Sequence, residues 1–254
     1  MKKTIDRRVA LKMLASSGLL LGGCSRLDST STATALLKGS DALGFDLQRL
    51  LLSSRPLVRE FAKSQISEKF PTNGTTLPKG EHYQQLVADN FSNWKLKVDG
   101  LVEKQLSLSL DDIRSLPQRT QITMHNCDEG WGAIGQWSGP QLSTILAMAV
   151  PKASSRYVVF HCLDTMEANG IPYYESIDLI DAVHPQTILA HRMNDQSLPV
   201  PHGAPLRLRV ELQIGYKNAK YVDRIELTDR LDHLGGGKGG WWEDFDNAPW
   251  YAGQ

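Results

Sequence analysis

From Trp94 to Leu110 the chain reads WKLKVDGLVEKQLSLSL, with apolar and polar residues alternating on either side of Asp99-Gly100. A period of two marks a strand with one face covered, and Asp-Gly between two such runs is a hairpin signal. The pattern recurs. RTQITMHNC (119–127) predicts a strand with Cys127 at its end, RYVVFHC (156–162) a buried strand ending at His161 and Cys162, and KYVDRIELTD (220–229) another. In APLRLRVEL (204–212), Leu206, Leu208 and Val210 alternate with Arg207, Arg209 and Glu211, one face apolar and the other largely basic. Helical spacing is scarcer. Asp111 to Leu116 makes a short helix stopped by Pro117, Gln141 to Ala149 one closed by Pro151, and Asp41 to Leu52 puts Leu43, Leu47, Leu50 and Leu51 on one face. PTNGTTLPKG (71–80) is a loop by its Pro and Gly content. Short strands outnumber helices and do not form regular βαβ units. The expected class is α+β with mixed sheet, one domain spanning residues 70–254.

Composition adds little for the body of the chain: 254 residues, 41% hydrophobic and 22% charged, are ordinary for a globular protein. The net charge of zero hides an asymmetry. The first 23 residues hold five basic side chains against Asp6, leaving 23 basic and 27 acidic residues beyond them. That mildly acidic remainder argues against a nucleic-acid binder. MKKTIDRRVALK is a basic head, MLASSGLLLGG an apolar run of 11 residues, and Cys24 follows. The run is too short for a bilayer, which takes ~20 residues, and suits an export signal over 1–23. Arg7-Arg8 resembles a twin-arginine signal, and Leu21-Gly22-Gly23-Cys24 resembles a bacterial lipobox, which implies a lipid anchor on Cys24. Residues 24–40 read as a flexible tether and 41–69 as an N-terminal helical segment that packs on the body.

With Cys24 set aside, Cys127 and Cys162 remain. They suit a disulfide in an exported protein. Cys127 alternatively serves as a nucleophile with His125, His161 or His202 as base, or as a soft thiolate ligand for a metal. Glycines after Cys127 let backbone approach a bound group, while Asp128 and Glu129 beside the sulfur raise its pKa and dull it as a nucleophile. No CxxC, HxxxH or HExxH spacing exists for zinc, no CxxCH for haem, and no Rossmann fingerprint; GGGKGG lacks the frame of a P-loop. Arg207, Arg209, Lys217 and Lys220 line up over two strands and a turn, which is either a cradle for a phosphate-bearing anion or a solvated basic sheet edge. Trp241, Trp242, Trp250 and Tyr251 either line a mouth or pack the Gly-rich tail onto the body. Tyr173 and Tyr174 are read as structural, although they could reach a cavity.

Three blocks, NCDEGWGAIGQWSG, TILAHRMNDQSLPVPHGAPLRLRV and GYKNAKYVDRIEL, resemble in order and spacing the signature blocks of the sulfite oxidase family of molybdopterin enzymes, across residues 70–230. The tail GGGKGGWWEDFDNAPWYAG resembles a bacterial oxidoreductase branch of it. The resemblance implies a sulfite-oxidase-type fold and a molybdenum-molybdopterin cofactor, the metal held by a pterin dithiolene and by Cys127. His202, Arg207, Gly215, Tyr216 and Lys217 match positions that contact the pterin and its phosphate. Asn73 in FPTNG matches a cofactor-contacting Asn, and Cys162 falls near a cofactor-contacting Thr of an exported sulfoxide-reducing relative, which has Asn in place of His202.

Sulfite oxidisers surround their dianion with arginines, one of them soon after the metal cysteine. Here Asp128 and Glu129 occupy that stretch and would repel a dianion. Oxygen-atom transfer from a neutral S-oxide or N-oxide, free or on a protein methionine, is the expected reaction. Electrons are expected from a separate redox partner, a haem protein in the periplasm or membrane, with the chain itself a lipid-anchored monomer. A cysteine hydrolase or acyltransferase and an exported binding domain without cofactor are the alternatives.

Overall fold

Alternation sorts most of the described chain into sheets. The computed structural model describes residues 57–166 and 170–253; the export signal, the tether and the Asp41 to Leu52 helix lie outside them. Of the 41–69 segment expected to be helical, the described part, 57–69, holds only a 3-10 turn at Lys63–Gln65. Its amides go elsewhere: Phe61 N donates to Ile122 O (2.9 Å) and Ser67 N to Ile134 O (3.0 Å). An amide taken by a neighbouring strand cannot also close a helical turn.

Along the chain, helix α1 (Glu81–Ala88) precedes β1 (Lys95–Gly100), β2 (Leu106–Ser109) and α2 (Leu110–Ser115). The long hairpin β3 (Gln118–Asn126) and β4 (Gly132–Pro140) leads to α3 (Leu142–Ala149), β5 (Tyr157–Thr165), β6 (Pro172–Asp178) and α4 (Leu179–Ala182). Short strands β7 (Ile188–Ala190), β8 (Arg192–Met193), β9 (Gln196–Ser197) and β10 (Arg207–Arg209) follow, then β11 (Val222–Thr228) and α5 (Trp241–Phe245).

The strands form a five-stranded sheet in the order β2-β1-β11-β5-β6, a four-stranded sheet β3-β4-β8-β9 and a β10-β7 pair. β1 and β11 run parallel and the other pairings are antiparallel, the mixed sheet expected of the fold class. Leu96, Val98, Val158, Phe160, Ile177, Ile225 and Leu227 of the large sheet share one core with Leu142, Ile145, Leu146 and Ala149 of α3. Those four helical positions follow an i, i+3, i+4, i+7 spacing, so a single face carries them. Each of the Leu, Ile, Val and Phe side chains contributes roughly 1.5–3 kcal/mol by leaving water. α2 is held at its start by a reciprocal cap, Asp112 N donating to Ser109 Oγ (3.1 Å) and Ser109 N to Asp112 Oδ2 (2.8 Å).

Two expectations are corrected. The β1-β2 hairpin forms, but Asp99 and Gly100 stay inside β1, opposite Glu226 and Leu227 of β11, and residues 101–105 make the connection. Gly100 (φ +82°) lies where a Cβ would meet Leu227 O at 2.2 Å, so the glycine serves a strand contact and not the reverse turn. The basic face of APLRLRVEL is no solvated edge: Arg207, Arg209 and Glu211 are all buried, because β10 pairs with β7 inside the molecule.

Candidate cofactor-binding active site

β3 ends at Asn126, and the next residue closes a tight turn. Cys127 N donates to Trp131 O (2.9 Å) and Gly130 N to Cys127 O (3.1 Å), so the sulfur sits at the tip of the β3-β4 hairpin with only 9% of the residue exposed. Asn73 Nδ2 approaches Sγ at 3.9 Å, and the thiol faces Asp128 Oδ1 at 3.5 Å. Burial pushes this thiol up to about 11, with the Asp128 and Glu129 charges acting in the same direction. Gly215 packs directly behind: a Cβ there would meet Cys127 Cα at 3.1 Å and Asp128 Oδ1 at 3.2 Å. The 3-10 turn Gly215–Lys217 is thereby seated against the cysteine turn.

Beside the thiol opens a small cleft of about 60 Å³. Asn73, Gly74 and Thr75 form one part of its wall, Asp128 and Glu129 another, and Asp164 and Tyr173 come from β5 and β6. Gly215, Tyr216, Asn218, Lys220 and Trp242 complete most of the remainder. Cations gather around it. Arg207 donates to the carbonyls of His202 (3.0 Å) and Asn218 (3.3 Å), its guanidinium lies over the Trp137 ring (4.8 Å), and its buried Nε has no partner. Lys220 Nζ reaches the carbonyls of Asn73 (2.6 Å), Thr75 and Pro201 (3.2 Å). Burial, then the neighbouring Arg209, pushes Arg207 down to about 9; burial, then Arg207, pushes Lys220 down to about 7 and His202 to about 4. Arg209, by contrast, is neutralised by Glu211 through two bonds (3.0 and 2.7 Å).

The expected site residues therefore divide. Asn73, Gly215 and Tyr216 line the cleft, with Cys127 in contact with Asn73; Arg207 and His202 stand beside Lys220 and Asn218 in the cationic flank. Cys162 is buried in β5 opposite Val222, and burial raises its thiol well above the usual range. Lys217 is directed elsewhere. Its ammonium, fully buried, meets Glu175 Oε1 at 2.5 Å and Glu243 Oε1 at 2.7 Å. Asp164, Thr75 and Asn218 are cleft residues the sequence reading did not select, whereas Lys220, which also lines the cleft, belongs to the cationic row read from the sequence. Asp164 had one local signal, its position two residues beyond Cys162 on the same strand face. Both readings of the tail aromatics hold in part: Trp242 lines the cleft, while Trp241 is packed in the core and Trp250 Nε1 donates to Ser176 Oγ (2.8 Å).

Residues 82–233 match the family described as oxidoreductase molybdopterin binding domain. The chain belongs to the molybdopterin-binding oxidoreductases of the sulfite oxidase family. It is 35% identical to the protein-methionine-sulfoxide reductase subunit YedZ1 of Azospira oryzae, over 92% of this chain and 82% of that one. It is 29% identical to the protein-methionine-sulfoxide reductase catalytic subunit MsrP of Xanthomonas axonopodis pv. citri, over 89% of this chain and 71% of that one. The MsrP of Campylobacter jejuni is 34% identical over 56% of this chain and 52% of its own.

As a family member the chain is an enzyme that takes molybdenum-molybdopterin, and the residues present fit that group. Among the described residues Arg207 and Lys220 hydrogen-bond only to carbonyls, and Arg207 Nε is buried without a partner, so an anionic phosphate would satisfy the flank. Cys127 supplies a soft ligand beside it. The disulfide is excluded, since Cys127 and Cys162 are both free. The hydrolase alternative lacks a base at the sulfur: among the described residues the hydrogen-bond contacts of Cys127 Sγ are Asn73 and Asp128, and none of His125, His161 and His202 bonds it.

Proposed function

We propose that this chain is an exported reductase of S-oxides, converting a methyl sulfoxide, two electrons and two protons to the thioether and water. The carrying observation is the charge of the wall next to the sulfur. Asp128 and Glu129 line the cleft there. Arg209 is paired with Glu211 and Lys217 with Glu175 and Glu243, and the two cations left, Arg207 and Lys220, stand in the flank that suits the cofactor's phosphate. A sulfite dianion would meet repulsion at that wall; a neutral sulfoxide would not. The names of the relatives, which speak of protein methionine sulfoxide, agree with this direction.

When bound, the molybdenum group supplies two-electron oxygen-atom transfer while exchanging electrons singly with a partner. Cys127 would hold its metal as thiolate, releasing the proton that burial keeps on the thiol. Arg207, Lys220 and the backbone at Gly215 and Tyr216 would hold its phosphate-bearing end, with His202, Asn73 and Cys162 as further contacts. Lys220 also ties the Asn73–Thr75 loop to Pro201, which keeps Asn73 beside the sulfur. Export by a twin-arginine-like signal, a lipid on Cys24 and a separate haem-bearing electron partner complete the reading. The first two rest on the basic head, the apolar run and the Leu21–Cys24 tetrad, and the partner on the need of a molybdenum centre for single electrons that no haem or flavin motif of this sequence supplies. No helix among the described residues is long and apolar enough to cross a membrane.

The test compares purified protein on methionine sulfoxide with reduced viologen and on sulfite with ferricyanide. Sulfoxide turnover with negligible sulfite oxidation is expected; efficient sulfite oxidation would overturn the direction.

A further inference from the structure

We propose that Trp242, set in place by the C-terminal segment, is the specificity-determining ring that receives the S-methyl group of the substrate; this rests on the sulfoxide-reductase reading. The ring is half-buried, lines the cleft and packs edge-on against Trp241 with centroids 5.0 Å apart. Its helix, α5, is too short to hold itself in place, since one turn makes few hydrogen bonds of its own. It is instead fastened at several points. Glu243 meets Lys217 at 2.7 Å, Asp244 accepts from Tyr174, from Gly236 N (2.8 Å) and from Lys238 N (2.8 Å), and further on Ile214 N donates to Ala252 O (2.9 Å). A ring flanked by such anchors has little freedom to leave the wall.

Its neighbours make the wall apolar. Tyr173 OH donates to Tyr216 O (2.7 Å) and Tyr216 OH to Pro249 O (2.6 Å), so both hydroxyls are engaged by backbone and ring carbon is left for the cleft. The same cleft carries the Asn73 amide, a donor, beside the sulfur of Cys127. A methyl sulfoxide is divided in the same way, with a strongly dipolar S–O bond and an apolar methyl carbon. Polar groups orient the first, and a fixed aromatic surface takes the second. The fastening also accounts for Lys217, whose side chain serves the tail and whose turn carries Tyr216.

The experiment uses the cofactor-loaded full chain with Trp242→Ala and Trp242→Phe. KM and kcat are measured for N-acetylmethionine sulfoxide and for a short peptide containing methionine sulfoxide. Binding of methionine sulfone, an unreduced probe with the same methyl, is followed by calorimetry. Loss of one apolar contact is worth roughly 10- to 200-fold in discrimination. Trp242→Ala is therefore expected to raise KM on both substrates and weaken sulfone binding by about tenfold or more. In the same samples kcat, molybdenum and pterin content should hold, and Trp242→Phe should stay near wild type. Unchanged KM and sulfone binding in Trp242→Ala would overturn the assignment. So would a loss confined to the peptide, which would put the ring against flanking residues, or loss of molybdenum and pterin, which would put it against the cofactor. Wild-type protein that turns over no sulfoxide would instead remove the reductase reading, and this proposal with it.

Discussion

At Cys127 the same burial that silences the free thiol prepares it as a ligand. With its pKa pushed up to about 11, the sulfur is almost wholly protonated at neutral pH, so cofactor-free protein from molybdate-starved cells should alkylate slowly. The rate with iodoacetamide should climb about tenfold per pH unit from pH 7 toward that value, followed by mass spectrometry on the Cys127 peptide. A rate already level at pH 8 would mean an activated nucleophile and revive the hydrolase alternative. In loaded protein, Cys127→Ala should abolish turnover and metal retention together. Asp164 provides an opposite case in the cleft wall. Burial raises it to about 6, although Thr75 and Lys220 pull it down, and its Oδ1 has no partner. A carboxyl with a raised folded-state pKa stabilises the fold fully below its unfolded value, ~3.9, and that contribution is lost as pH rises through about 6. In cofactor-free protein, wild type should therefore lose stability relative to Asp164→Asn between pH 4 and pH 6.5, by at most about 3 kcal/mol in denaturant titrations. A difference that stays flat across that window would contradict it.

Elements differ in how openly the sequence announces them. Strands covered on one face, β1, β3 and β11, were legible because a period of two survives when one side meets water. β4 was not: Gly132, Gly135, Gly139 and Pro140 read as breakers, yet nine residues pair in register with β3. β10 was legible as a strand but misread as a possible edge, since nothing local tells that Arg209 will find Glu211 and be buried with it. The candidate site divides likewise. Cys127, Arg207 and the Gly215–Lys217 turn sit in contiguous motifs, so resemblance reached them. The direction of the Lys217 side chain depends on Glu175 and Glu243, 42 and 26 residues away, in a strand and a tail helix with no charge pattern to mark them. Burial makes this triad exacting. Removing the cation would leave two carboxyls facing each other without water, and breaking a buried pair costs roughly 3–5 kcal/mol. Lys217→Met should lose that much in urea unfolding. Lys217→Met combined with Glu243→Gln should recover part of it, a coupling that a simple phosphate contact at Lys217 would not produce.

On the scale of the molecule, the fold delivers a sheet core, a hairpin tip with one sulfur and a tail that closes around both, and places an excess of positive charge where these meet. Among the described residues Arg207 and Lys220 hydrogen-bond only to carbonyls there, and their lowered pKa values record the cost of lodging cations in that flank. Any anion that binds the folded chain and not the unfolded one adds its own free energy to folding. At a thousandfold excess over its dissociation constant the gain is about 4 kcal/mol. For a chain of this size, about 1 kcal/mol moves the melting temperature by roughly 2–4 °C, so cofactor-loaded protein should melt about 8–16 °C above cofactor-free protein. Arg207→Gln should shrink that interval, and should do so by lowering the loaded transition while leaving the cofactor-free one in place or raising it. The sign separates two accounts. If Arg207 were mainly a structural cation, its removal would lower both transitions equally. If it serves the anionic end of the cofactor, the cofactor-free protein is relieved of a buried charge and only the loaded form suffers. Differential scanning calorimetry on the two proteins, each prepared from molybdate-fed and molybdate-starved cells, distinguishes them.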